Sequence, residues 1–364
     1  VVLLTLLMMM GGSMRAGAQE ITSIRYDVSW PEPHTHYYHV DMTIERQGEG
    51  PVEVRMPAWR PGRYILQNYS RYVIDVEAHT EAGDPLSFKK TDKDTWRIDA
   101  GSASRIRVRY RNYADVLDAG ESYLDEREAY INPITLLMYV PGAEFTPSVI
   151  AFDKPDDWRV ATALEYSDAH MGYPATDYHE LVDSPFIISP DFEVLSFDYD
   201  GARYELVIQG EAANYDPERF VEDVRQITIA QTDVMRVTPY SRYVFMYHLL
   251  PYRFGHGVEH KNSTSIVMGP ADFNDEGFYN RLLGITSHEL FHVWNVERIR
   301  PEAIYHPDYS QENYTTTMWI YEGITSYYTQ LTIARAGLRT PDEYLSGVAR
   351  TLRGFDAPPA RKRT

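Results

Sequence analysis

The chain contains no cysteine. Disulfides, thiolate-held zinc, iron–sulfur clusters and thiol nucleophiles are therefore excluded, and any metal must sit on histidine and carboxylate ligands. Cations are also scarce relative to acids: 35 Lys and Arg face 53 Asp and Glu, a formal charge of −18. A surface of that sign does not gather on phosphate backbones or anionic headgroups, so nucleic acid is not an expected partner. Long apolar runs are nearly missing as well. The longest, Val1–Met10, is about half of the roughly 20 residues a membrane-spanning helix requires. It is followed by Ala16-Gly17-Ala18, which has the form of an A-x-A cleavage site. Residues 1–18 are thus expected to be a secretory signal peptide without its basic start, leaving a mature chain from Gln19 that is secreted or periplasmic and not stably inserted in a membrane. The C-terminal end reads as a loop cut in mid-course, so a piece of a longer protein is expected. No internal repeat or low-complexity stretch is present.

What remains is ample for folding: 364 residues, 43% apolar, with 29 Tyr. Two or three domains fit that length. From Ile21 to about Pro190 the apolar period is two. Tyr38, Val40, Met42 and Ile44 alternate with His39, Asp41, Thr43 and Glu45, and Arg105–Arg111 sets three apolar residues against four arginines. An antiparallel β-sandwich is expected over residues 19–191. The pattern then changes. Asp200-Gly201 between two β-rich runs signals a hairpin, and Asp216-Pro217-Glu218 starts a helix that runs to about Arg236. Strands are predicted at Tyr243–Leu250 and Thr264–Met268, with a Gly-rich loop over 251–262 between them. Helical periodicity returns over Tyr279–Asn295, Thr315–Ala336 and after the capping box Thr340–Glu343. Residues 192–364 are therefore expected to form an α+β domain, and the chemistry lies there.

Ser287-His288-Glu289-Leu290-Phe291-His292 carries HExxH within a helical stretch. Residues four apart share a helix face, so His288 and His292 can present imidazole nitrogens to one ion, with zinc the best match for such a donor set. Glu289 stands beside the open coordination position, where it can take a proton from an attacking water and pass it to the leaving amine. A chance HExxH should occur in roughly 3% of chains of this composition. The third ligand is sought downstream. Asn295 and Arg298 stand where a metzincin needs Gly and His, which removes that class. Glu297, Glu302, His306, Asp308 and Glu312 lie in a polar connection without periodicity. Glu322 lies within the apolar helical run Met318–Tyr328, where a carboxylate is costly unless paired with Arg298 or Arg300 or bound to metal. Glu322 is the expected third ligand, giving a His₂Glu site with an open position.

The run from His288 to Pro301, with Glu312-Asn313-Tyr314 and Trp319–Tyr328, resembles the glycyl aminopeptidase family of gluzincins. The likeness extends to Pro31–His36 and Met56–Gly62. It implies a β-rich N-terminal domain, a thermolysin-like catalytic domain that is here truncated, and a PDZ domain beyond residue 364. It also implies zinc on His288, His292 and Glu322 with Glu289 as base. Glu297 departs from the lysine more usual there, outside the metal shell and with little expected consequence. The tyrosine that steadies the oxyanion in related aminopeptidases is expected beyond residue 364, and neither Tyr327 nor Tyr328 is assigned that role. Gly257-Val258-Glu259-His260 resembles the family's exopeptidase signature. Glu259 would meet the substrate's α-ammonium, while Gly255 and Gly257 would let the backbone approach the substrate. The expected function is a zinc aminopeptidase acting on peptides with small N-terminal residues, Gly or Ala. The alternatives are a broad metalloendopeptidase and a peptide-binding protein with a vestigial metal site. The sequence does not fix an oligomeric state.

Overall fold

A computed structural model describes residues 20–63 and 65–356. The expected signal peptide and the Gln19 start lie outside them. In the first half the two-residue period becomes sheet. Along Tyr37–Gln47 every second side chain is buried, and the strand pairs antiparallel with Glu20–Ser29 on one side and Arg105–Tyr113 on the other. These three are the centre of a six-stranded sheet, and four- and three-stranded sheets complete the layer structure. Tyr26, Trp30, Tyr38, Ile44, Trp96 and Tyr110 belong to the core between them. The outward faces stay wet: Arg107 and Arg109 share Asp41, Arg105 reaches Glu45, and Arg111 reaches Asp75. Two features depart from the expected sandwich. Glu20–Ser29 pairs parallel with Ser148–Asp153, and short helices form at Pro133–Leu136 and Tyr178–Val182. A parallel neighbour from far along the chain leaves no local mark, because each strand's own alternation is satisfied either way.

The second half begins with the hairpin β1 (Glu193–Tyr199) and β2 (Ala202–Gly210). Its turn holds Asp200 at φ 50° and Gly201 at φ 78°, the left-handed pair that a two-residue hairpin requires. Helix α1 (Pro217–Met235) is capped by the Asp216 carboxylate, which accepts from Arg219 N at 3.0 Å. Strands β3 (Arg242–Leu249), β4 (Phe254–Glu259) and β5 (Ser263–Gly269) follow, then helices α2 (Glu276–His292), α3 (Thr325–Arg335) and α4 (Pro341–Asp356). The capping box at α4 closes reciprocally, with Thr340 N donating to Glu343 Oε2 at 2.8 Å and Glu343 N to Thr340 Oγ1 at 3.3 Å. The sheet order is β1-β2-β3-β5-β4, parallel across β2, β3 and β5 and antiparallel at both edges.

Strand β4 corrects the sequence expectation of a loop over 251–262. Phe254–Glu259 pairs in continuous register with Thr264–Gly269. Two glycines in six residues hide the strand, since they lower β-propensity and erase the side-chain alternation on one face. The two halves meet through apolar contacts: Tyr130, Ile187 and Phe192 with Val207, Val244 and Met246, and Ala119 with Leu250, Val258 and Val267.

Candidate metal centre

Helix α2 is anchored so that its last turns face a cleft. The Asp275 carboxylate accepts from Gly277 N at 2.8 Å at its start, and Leu290 and Phe291 are buried near its end. Burying those two turns His288 and His292 to the opposite face, where their Nε2 atoms lie 3.1 Å apart. Glu322 Oε2 stands 3.5 Å from the first and 3.9 Å from the second. Donor atoms of a tetrahedral zinc with bonds near 2.1 Å are about 3.4 Å apart, so the three fit one ion.

Backbone and hydroxyl partners fix both rings. The Asn295 carbonyl can only accept, so the His292 Nδ1–H donates to it at 2.8 Å and the Nε2 lone pair is free for metal. Thr329 spends its hydroxyl proton on the Thr325 carbonyl at 2.8 Å, so it accepts from His288 Nδ1 at 3.2 Å and gives that ring the same tautomer. Glu322 lies on a π-helical turn, Trp319–Ile324, leading into α3. Asn295 Nδ2 donates to Ile320 O at 3.1 Å and to Thr325 Oγ1 at 3.2 Å, tying that turn to the end of α2. Such wide turns are frequent where a helix must aim a side chain at a site. Of the alternative ligands, Glu297 pairs with Arg300, Glu312 accepts from Tyr314 Oη at 2.7 Å, Asp308 accepts from Ser310 N at 2.9 Å, and His306 packs on Phe145. Arg298 donates to the carbonyls of Lys261 and Val293, both at 2.9 Å. Neither arginine therefore serves as the salt-bridge partner weighed for Glu322.

Glu289 is 5% exposed. Burial, then the charges of Glu259 and Glu322, raise its carboxyl well above the ordinary range. Glu259, Glu289 and His292 bring ligand atoms within 4.8 Å of one another, next to the His288–His292–Glu322 group. Three carboxylates converging beside two imidazoles is an arrangement that a cation stabilises. Gly257 makes the space: a Cβ there would lie 2.5 Å from Glu289 Oε1. A Cβ at Gly255 would meet nothing within 4 Å. The structure thus brings together His288, Glu289, His292, Glu322, Glu259 and Gly257. Asn295 and Thr329, which orient the two imidazoles, were not singled out for that task, since neither a main-chain carbonyl nor a lone hydroxyl in that role has a signature in side-chain pattern. Glu297 is more than a peripheral departure. It is buried in the cavity wall shared with Glu259, and burial together with Asp183, against the pull of Arg300, pushes it up to about 8.

A wider cavity of about 670 Å³ opens on the six-stranded sheet, but Arg25, Arg105 and Arg107 there are paired with Asp27, Glu45 and Asp41. The converging chemistry is at α2.

Residues 25–190 match the Peptidase M61 N-terminal domain, and residues 281–364 match the M61 glycyl aminopeptidase domain. The chain belongs to the M61 glycyl aminopeptidase family. Among solved structures it is similar to an aminopeptidase N family protein of Idiomarina loihiensis, with 28% identity, a TM-score of 0.81 and 88% of this chain covered. The chain spans 56% of that protein's length. An M1 zinc metallopeptidase of Deinococcus radiodurans shares the fold at 12% identity, with a TM-score of 0.53 over 94% of this chain and 76% of its own. A variant of that protein bound to a Tyr-ser-ala substrate gives 13% identity, a TM-score of 0.52 and the same coverage. No curated protein matches the chain. The mixed α+β architecture, sheet-rich first and zinc-metallopeptidase-like second, is the fold of this M61 chain.

Proposed function

We propose that the protein is a zinc aminopeptidase of the M61 family that removes small residues, Gly or Ala, from the free amino ends of peptides. The observation that carries the reading is the His288–His292–Glu322 triangle, with the buried carboxylate of Glu289 at its side and Glu259 within reach. His288, His292 and Glu322 would hold the metal. Zinc so bound supplies Lewis acidity to the attacking water and the scissile carbonyl. Glu289 accepts the proton from that water and returns it to the departing amine. Its burial raises the affinity of the carboxylate for a proton, which favours the first transfer, from water. Glu259, set beside Glu289 on the adjacent strand, accepts from the substrate's α-ammonium and so selects chain ends over chain interiors. Peptides are the proposed substrates, and a secreted or periplasmic site of action rests on residues 1–18. N-terminal sequencing of exported protein, with Gln19 as the expected first residue, tests that last point.

The site is tested by metal content and turnover measured together. Glu289→Gln should keep one equivalent of zinc and lose roughly 10²–10⁴ in kcat on glycyl amides. His288→Ala and Glu322→Ala should lose the zinc itself. Stoichiometric zinc and undiminished turnover in Glu322→Ala would remove this residue from the site.

A further inference from the structure

We infer that the loop Ala58–Gly62, contributed by the sheet-rich half, forms with Ile304 of the second half the wall that limits the size of the substrate's N-terminal residue, with Gly62 and Ile304 as the specificity-determining positions. The inference rests on the aminopeptidase reading above and specifies which surface enforces it.

The two faces of β4 look to different halves of the molecule. Gly257 faces Glu289 on α2, while His256 pairs with Asp118 and Val258 packs on Ala119, both from the first half. Glu259 is on the α2 side, as strand alternation requires. Beyond it, away from Glu289, the chain of the first half returns. A Cβ on Gly62 would lie 3.1 and 3.3 Å from the two Glu259 oxygens, closer than ordinary van der Waals contact. Main chain therefore abuts the carboxylate, with Arg60 Nη1 3.4 Å from the same point. Gly62 also has φ 72°, a conformation that suits glycine. The space left at this point is about 20 Å³, with Trp59, Pro61, Gly62, Ile304 and Tyr321 around Glu259 and the Glu297–Arg300 pair in the same wall. A small N-terminal side chain is what so narrow a space would take.

The wall is held rigidly. Ala58 N and Trp59 N both donate to Tyr309 O, at 2.8 and 3.2 Å, and Gln67 N donates to Ala58 O at 2.8 Å. Tyr309 itself is buried in the core of the first half, its hydroxyl 2.6 Å from His179 Nδ1 and its ring against Tyr139 and Tyr178. Arg60 is buried beneath Gly120, where a Cβ would lie 1.8 Å from its Nη2, and its Nη1 donates to Pro61 O at 3.0 Å. Moving the loop outward would break these contacts together, so an oversized N-terminal residue, or a further residue upstream of it, meets a surface that does not yield.

The test compares glycyl, alanyl and leucyl p-nitroanilides on the full-length zinc-loaded protein, and binding of glycine hydroxamate and leucine hydroxamate by calorimetry. The unmutated protein should favour the glycyl and alanyl substrates over the leucyl one by at least tenfold in kcat/KM, within the 10–200-fold range that one or a few methylenes command. Glycine hydroxamate should bind more tightly than leucine hydroxamate by a similar factor. Ile304→Ala should shrink the glycyl-to-leucyl ratio about tenfold. Equal handling of the two sizes by the unmutated protein, in hydrolysis or in hydroxamate binding, overturns the wall alone and leaves the peptidase standing. So does an unchanged ratio in a folded Ile304→Ala. Failure to hydrolyse any of the amides or to bind either hydroxamate overturns the aminopeptidase reading, and the wall with it.

Discussion

A carboxylate set between another carboxylate and main chain is poorly placed unless a cation joins it. Glu259 has Glu289 on one side and Gly62 on the other, with the Arg300 guanidinium in the same cavity wall. A peptide's α-ammonium is the cation the proposed reaction brings. Glu259→Ala should therefore raise KM for free-amino glycyl amides roughly 10- to 100-fold, the worth of one hydrogen bond between charged groups, while zinc content stays at one equivalent. Cleavage of N-acetylated peptides as fast as free ones by the unmutated enzyme would favour an endopeptidase instead. At this scale the sequence is legible where chemistry constrains spacing. The interval between His288 and His292 names a helix face, whereas the burial argument for Glu322 does not hold: its side chain is 34% exposed, and Met318, Trp319, Ile324 and Tyr327 of the same run are exposed too. The sequence is silent on Asn295 and Thr329, because what orients the imidazoles is a carbonyl and a hydroxyl whose roles depend on where the chain turns. It also gave no warning that Glu297 would be buried next to Glu259.

Among the elements, the edge strand β4 is the one whose composition matters most. Its glycines hid it from a reading by propensity, and one of them is indispensable: the Gly257 position is filled by the Glu289 carboxyl. Gly257→Ala should displace Glu289, lowering kcat roughly 10²-fold or more with zinc retained, a separation that atomic absorption and steady-state kinetics would reveal. A turnover within threefold of the parent would mean the strand simply shifts. The neighbouring parallel pair β2 and β3 is stapled across its solvent end by Glu205, which accepts from Arg242 Nη2 at 2.7 Å and from Arg203 Nε at 3.3 Å. Burial works to raise the Glu205 carboxyl, but Arg242 and Arg203 prevail and hold it below its usual value. A depressed carboxyl contributes stability that is complete above the unfolded value near 4.3 and is lost as pH falls through the folded one. Glu205→Gln should therefore cost about 1 kcal/mol at pH 7 and progressively less as pH falls below the unfolded value, read from urea unfolding at neutral and acidic pH. A cost independent of pH would assign the effect to shape instead of charge. The starts of α1 and α4 and the Asp200-Gly201 hairpin were legible because each is written in a few adjacent residues, whereas α2 begins at Glu276 instead of Tyr279 and α3 at Thr325 instead of Thr315.

At the scale of the molecule, what the sequence could not convey is adjacency. Nothing local indicates that Glu20–Ser29 takes Ser148–Asp153 as a parallel neighbour, or that a loop near residue 60 is pressed against a strand near residue 259. The alternation of Tyr38 to Ile44 foretold a buried face, yet not which surface would cover it. The deepest entanglement of the halves is Tyr309. It lies between the candidate ligands His292 and Glu322 in the chain, but its ring belongs to the core of the other half.

That detour has a thermodynamic corollary. Joining His292 to Glu322 through a metal closes a loop whose middle is already moored elsewhere, so closing it restricts the mooring and mooring it restricts the closure. Free-energy coupling of this kind is reciprocal: whatever tightens zinc must tighten the seat of Tyr309 by an equal amount. Stripping the metal with a chelator should consequently quicken hydrogen exchange at the amides of Ala58 and Trp59, which donate to Tyr309 and bind no metal themselves. Tyr309→Ala should in turn weaken zinc binding without altering a ligand. Identical exchange at those two amides with and without zinc would show that the halves are merely neighbours.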